Sequence, residues 1–157
     1  MNYTMYKELD PIDISLIRVL TRNSRISVRK LAALLKMPHT TVYSRLKKLE
    51  EAGVIKGYTA TIDHKTLGFA ITAIIHVSAQ GSYIEELEKI LANRHETIAV
   101  YDVTGEYDMI IISRFRSIDE LDKFIKWVNK LKGVEKTITS IAFRVVKEDP
   151  TAPIIIA

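Results

Sequence analysis

Residues 84–90 and 118–124 carry one pattern twice, Ile-Glu-Glu-Leu-Glu-Lys-Ile and Ile-Asp-Glu-Leu-Asp-Lys-Phe, 34 residues apart. Each copy has apolar positions at helical spacing on an otherwise charged segment, and so reads as an amphipathic helix. A β-type run precedes each helix (Ala70–Ala79 and Asp108–Phe115) and another follows it (Ile98–Thr104 and Val134–Val146). Two β-α-β halves in tandem predict a ferredoxin-like βαββαβ domain, with a four-stranded antiparallel sheet and both helices on one face. The other face would carry Ile, Val and Ala against water. Covering it with a second copy is the simplest remedy, so a homodimer is expected.

Charge separates this repeat from what precedes it. Residues 1–60 hold 11 Lys and Arg against 5 Asp and Glu, a balance of +6, whereas residues 61–157 hold 12 against 14, a balance of −2. Only the first part is expected to meet a polyanion. Within it, Asp10-Pro11 starts a helix with its apolar stripe on Ile12, Leu16, Val19 and Leu20. Ser27 caps a second helix, which Met37-Pro38 interrupts, because the residue before a proline is pushed out of the helical region. A third helix runs from about Pro38 or His39 to Ala52 and ends at Gly53.

The third helix buries Val42, Leu46 and Leu49. It turns Thr40, Ser44, Lys47 and Lys48 outward, with Thr41 and Tyr43 on the flanks. Hydroxyls near its start are placed for base edges, and lysines further along for phosphates. This is the pattern of a helix-turn-helix in the major groove of double-stranded DNA. Arg45 lies near the apolar stripe and fits equally a half-buried ion pair or a phosphate contact. Lys56-Gly57-Tyr58 is expected to open a small wing.

Zero cysteines exclude disulfides and thiol nucleophiles, and the four histidines share no ligand spacing, so no metal is expected. No apolar run approaches the ~18 residues that span a bilayer, and no signal-peptide core is visible, which predicts an intracellular, cytoplasmic protein away from membranes. No nucleophile–base pair, carboxylate dyad or phosphate-binding loop is present, so no catalytic residue and no cofactor are assigned. The turn Thr104-Gly105-Glu106-Tyr107-Asp108 reads either as an anion-binding backbone nest or as a plain hairpin.

Several ordered motifs now resemble the Lrp/AsnC, or feast/famine, family of transcription regulators. They include Leu9-Asp10 with Asp13, Asn23 through Ser27, Leu31-Ala32, Val42 with Arg45, Leu49-Glu50 and Gly53 through Tyr58. Ile62-Asp63 with Leu67-Gly68, Thr104 through Asp108, and Gly133-Val134 with Thr137 and Thr139 complete them. The resemblance implies an α+β protein: a winged helix-turn-helix domain (1–57), a linker strand or hinge (58–69), a RAM/ACT-like ferredoxin-like effector and oligomerisation domain (70–148) and a tail (149–157). It implies a DNA-binding face of His39, Thr40, Thr41, Tyr43, Ser44, Arg45, Lys47 and Lys48. It also implies an amino-acid effector held by Gly105, Glu106, Tyr107 and Asp108, with Thr137 and Thr139 from a neighbouring subunit, and homodimers that assemble into octamers or similar discs. An architectural, weakly specific DNA-compacting role uses the same parts. Family members commonly begin the recognition helix with Ser where this chain has Pro38, which leaves the helix start open. The apolar tail, Pro150 to Ala157, is either disordered or packed on a partner subunit.

Overall fold

The computed structural model describes residues 9–151. The expected packing of the apolar tail therefore lies almost wholly outside the described residues. The chain divides into two compact units at Thr61/Ile62, and from Glu148 it returns to the first.

The first unit is built on three helices, α1 (Pro11–Arg22), α2 (Val28–Leu34) and α3 (His39–Glu51). Asp10 caps α1 by accepting the Ile12 and Asp13 amides at 2.8 and 2.9 Å, while Asp13 reaches back to the Asp10 amide. Ser27 caps α2 through the Lys30 amide at 3.3 Å. Pro38 precedes α3 with no side-chain cap, and the helix begins at His39. Leu16, Leu31, Val42, Leu46 and Leu49 meet in one buried core. The α2–α3 turn closes through Lys36 at φ 54°, a left-handed position usually given to glycine. The Met37 amide completes the closure by donating to Ala32 O at 2.9 Å.

The stretch expected to open a wing and a linker strand finds no strand partner within this one chain. Residues 57–63 form no paired strand, because a strand needs a neighbouring edge to bond to and the described residues supply none here. Instead Tyr58 straps the segment back to α3, its hydroxyl donating to Glu50 Oε1 at 2.7 Å. Burial, and then this carboxylate, push the Tyr58 phenol up to about 12. A turn follows in which Asp63 accepts the Lys65 amide and the Thr66 hydroxyl at 3.1 and 2.7 Å.

The second unit has the expected order: β1 (Ile71–Ala79), α4 (Ile84–Ala92), β2 (Thr97–Asp102), β3 (Met109–Phe115), α5 (Ile118–Val128) and β4 (Val134–Ile141). The strands pair antiparallel in the order β2-β3-β1-β4. Both repeat copies are helices. Leu87 and Leu91 of α4, and Leu121, Phe124 and Val128 of α5, pack on Ile75, Val77, Met109, Ile111 and Phe115. Each such side chain contributes roughly 1.5–3 kcal/mol when fully buried. β4 ends at Ile141, short of the expected Val146. Its last ladder bond runs from the Ala142 amide to Thr72 O, and β1 begins just before Thr72, so the edge offers nothing further to pair with.

Alternation places Ile74, His76, Ile110, Ile112 and Ile138 on the sheet face opposite the helices. Ile138 is exposed and the others are half-buried.

Candidate nucleic-acid interface and effector loop

The outward face of α3 is arranged as its periodicity predicts. His39, Thr40, Tyr43, Ser44, Lys47 and Lys48 are exposed, while Thr41 and Arg45 are half-buried. The Ser44 hydroxyl donates to Thr41 O at 3.0 Å, so its lone pairs face outward as acceptors. Lys47 makes an exposed pair with Glu51 at 3.6 Å, one turn along, which water and salt readily loosen. Lys48 has no carboxylate partner among the described residues.

Of the two roles open to Arg45, the structure shows the ion pair. One guanidinium nitrogen donates to Asp10 Oδ2 at 2.5 Å and to Asp13 Oδ1 at 2.9 Å. Asp13 is only 6% exposed. The Asp13 amide, and then Arg45, hold the Asp10 carboxyl below its usual value, and the two carboxylates raise that of Arg45. The link bolts the recognition helix to the start of α1. Asp10 is marked in the sequence as a helix start, and nothing local marks Asp10 or Asp13 as partners of a residue more than thirty positions away.

The Thr104–Asp108 turn joins β2 to β3. Gly105 sits at φ 124°, a conformation closed to most side chains. Asp108 anchors the turn: its amide donates to Val77 O at 3.0 Å, and Oδ2 accepts the Ala79 amide at 2.8 Å. That amide is free because β1 and β4 shift register between Ser78 and Ala79. Glu106 is exposed, and Tyr107 is half-buried against His76, with ring centroids 5.0 Å apart. Partial burial, and then the Glu106 carboxylate, push the Tyr107 phenol up. His76, Thr104, Glu106 and Tyr107 line an open hollow with Asp102 and Ile110, and Gly105 and Asp108 shape the turn beside it. His76 was not singled out by the sequence. Its Nδ1 has no hydrogen-bond partner among the described residues although it is shielded from solvent.

Thr137 and Thr139 do not join this hollow. In register they sit beside Val77 and Ile75, on the helix-covered face, whereas His76 and Tyr107 meet on the other side. The Thr137 hydroxyl donates to Asn129 Oδ1 at 3.0 Å. Within a single chain the loop and the two threonines therefore lie on opposite faces of the sheet.

Comparison with known proteins agrees with both units. A model of the Lrp/AsnC ligand binding domain matches residues 72–152, and one of winged helix-turn-helix DNA-binding matches residues 9–56. An uncharacterised HTH-type transcriptional regulator of Pyrococcus furiosus is 45% identical over 142 residues, spanning 90% of this chain and 96% of that protein. The HTH-type transcriptional regulator Ptr1 of Methanocaldococcus jannaschii is 34% identical over 147 residues, spanning 93% and 99%. Among solved structures, B. subtilis LrpC aligns with a TM-score of 0.80 at 25% identity, covering 89% of this chain and 98% of its own. A Neisseria meningitidis transcriptional regulator solved as its L-Met complex aligns with a TM-score of 0.83 at 23% identity, over 90% and 94%, a likeness of fold. The relatives are regulators rather than enzymes. The chain belongs to the Lrp/AsnC family of transcriptional regulators, joining a helix-turn-helix DNA-binding domain to a ligand-binding domain.

Proposed function

We propose that the chain is a sequence-specific regulator whose assembly or DNA affinity responds to an amino acid or a related metabolite. The observation that carries this reading is the α3 face itself: Thr40, Ser44, Lys47 and Lys48 stand exposed on a helix whose orientation Arg45 fixes. The reader is thus presented rigidly, which suits base discrimination better than loose charge attraction. His39, Thr40, Thr41, Tyr43 and Ser44 are placed for bases, and Lys47 and Lys48 for phosphates.

The open sheet face, with its isoleucines, supports dimerisation there, and larger assemblies of such dimers follow the family pattern. A dimer presents two α3 helices to half-sites about one DNA turn apart, roughly 34 Å, or a multiple of it. Footprinting should therefore reveal a symmetric site. Changing Thr40 and Ser44 together to Ala should erase the preference among sequences. Changing Lys47 and Lys48 to Ala should leave the preference but lower affinity about tenfold, and should flatten the salt dependence by about two phosphate contacts. An equal affinity for random DNA would sink this reading and favour the architectural role.

The effector part rests on the Gly105–Asp108 turn and on the L-Met complex of the Neisseria neighbour. An amino acid offers an ammonium to Glu106 or Asp108 and a carboxylate to backbone amides and the hydroxyls of Thr137 and Thr139 of a neighbouring copy. A true ligand at 100 times its dissociation constant should stabilise the protein by about 2.7 kcal/mol. Thermal shift across the twenty amino acids measures this, and Asp108→Ala should abolish the response. A response that survives in that variant would move the effector elsewhere.

A further inference from the structure

The second unit carries a cleft at the opposite end of its sheet from the Thr104–Asp108 turn. The length of β3 separates the two, about 20 Å at the usual rise of a strand. Phe69 at the entry to β1, the α4–β2 turn with Arg94 and Glu96, the β3–α5 connection with Arg116, and Lys123 and Trp127 of α5 enclose it, with a volume of about 560 Å³. We propose that this cleft binds a small phosphate-bearing molecule with a planar ring, of the mononucleotide class, as a second ligand site.

Charge is the first argument. Arg94 is already neutralised: its Nε and Nη2 donate to the two Glu96 carboxylate oxygens at 3.1 and 2.7 Å. Arg114, which also lines the cleft, is engaged by another group. Arg116 and Lys123 are exposed, and neither has a carboxylate partner among the described residues. Glu120, in the first turn of α5, also lines the cleft and keeps its charge while accepting the Arg116 amide at 2.8 Å, and Ser117 accepts the Glu120 amide. Arg116 and Lys123 thus face one hollow against the single carboxylate of Glu120, leaving the hollow net positive in a region of the chain that is net acidic. A dianionic group answers both, each contact being a charge-assisted hydrogen bond.

Shape and rigidity are the second argument. The Arg116 guanidinium carbon lies 4.9 Å above the Phe69 ring, and that of Arg94 lies 4.6 Å above Trp127. Of the two aromatic rings, that of Phe69 holds the unpaired Arg116 in place before any ligand arrives, which lowers the ordering cost of binding. Both rings also supply the apolar wall that a planar ring packs against. The volume lies within the range of small-molecule sites. Duplex DNA fits less well, because its stacked bases cannot enter a concave cleft and its phosphates would leave the aromatic wall unused.

Isothermal titration of the full chain with AMP, inorganic phosphate and adenosine tests this. AMP should bind, phosphate should bind at least tenfold more weakly, and adenosine should give no signal. Arg116→Ala and Lys123→Ala should each weaken AMP at least tenfold without changing the melting temperature, since both side chains are exposed. L-Met, placed at the other end of the sheet, should not displace AMP. No AMP binding, or equal AMP affinity in both variants, overturns the proposal. So does weaker DNA binding by the two variants with no AMP binding, which makes the cleft a DNA-backbone contact. A variant-induced change of native mass without AMP binding assigns it to an acidic helix of another copy instead.

Discussion

Gly133→Ala should destabilise the second unit by about 3 kcal/mol, lowering its urea midpoint and its melting temperature. Gly133 sits at φ 91°, where an L side chain costs roughly 1–2 kcal/mol. A Cβ there would also lie 2.4 Å from the Tyr83 Cβ and 2.5 Å from its Cγ. Neither atom is the free end of a flexible chain, so the overlap adds a strain of about 1–3 kcal/mol. The backbone cannot simply retreat, because Gly133 O accepts the Gln80 amide at 2.8 Å and ties the start of β4 to the β1–α4 connection. Gly53→Ala is the matched control. Its φ of 67° is equally left-handed, but a Cβ would meet nothing within 4 Å, so it should cost about 1 kcal/mol. Equal losses in the two variants would show that backbone conformation, and not the Tyr83 contact, decides the cost.

The fold was legible because its signals are local and repeat. The 34-residue echo announced α4 and α5, and Asp10, Ser27 and Gly53 marked helix ends by their own chemistry. The outward residues of α3 followed from periodicity alone, because a helix next to a core exposes one face whatever the core is. What stayed hidden depends on partners distant in sequence. The length of β4 is set by where β1 begins, and the stretch after Gly57 becomes a strand only if an edge reaches it. The Lys36 turn was unreadable for a different reason: lysine carries no preference for a left-handed position, and the backbone bond from Met37 to Ala32 imposes it. The residues expected to hold an effector show the same limit. Motif resemblance picks out Thr137 and Thr139, but register puts them across the sheet from Tyr107, a relation that no spacing along the chain expresses.

Arg45→Ala is expected to destabilise the helix-turn-helix unit by about 2 kcal/mol and to weaken DNA binding without changing its salt dependence. The cost comes from Asp13, whose carboxylate would be left in an almost closed site without its cation. DNA affinity falls because α3 loses its fixed seat on α1, not because a phosphate contact is lost. The slope of affinity against salt should therefore match the wild type, in contrast to the Lys47 and Lys48 variant. A slope reduced by one contact would mean that Arg45 leaves the two aspartates to meet DNA. Adding Asp13→Ala should recover part of the stability, since the stranded charge is gone, and the double-mutant cycle then reports the coupling. The pH dependence supplies an independent check. Asp10 has its folded value depressed, by the Asp13 amide first and Arg45 second, so its contribution is present above the ordinary carboxylate range and fades as pH falls through the lowered value. The stability gap between wild type and Arg45→Ala should accordingly narrow below about pH 4, where an unfolded aspartate is protonated. A gap that persists undiminished in acid would locate the effect of Arg45 in packing of its aliphatic stem instead of in the ion pair.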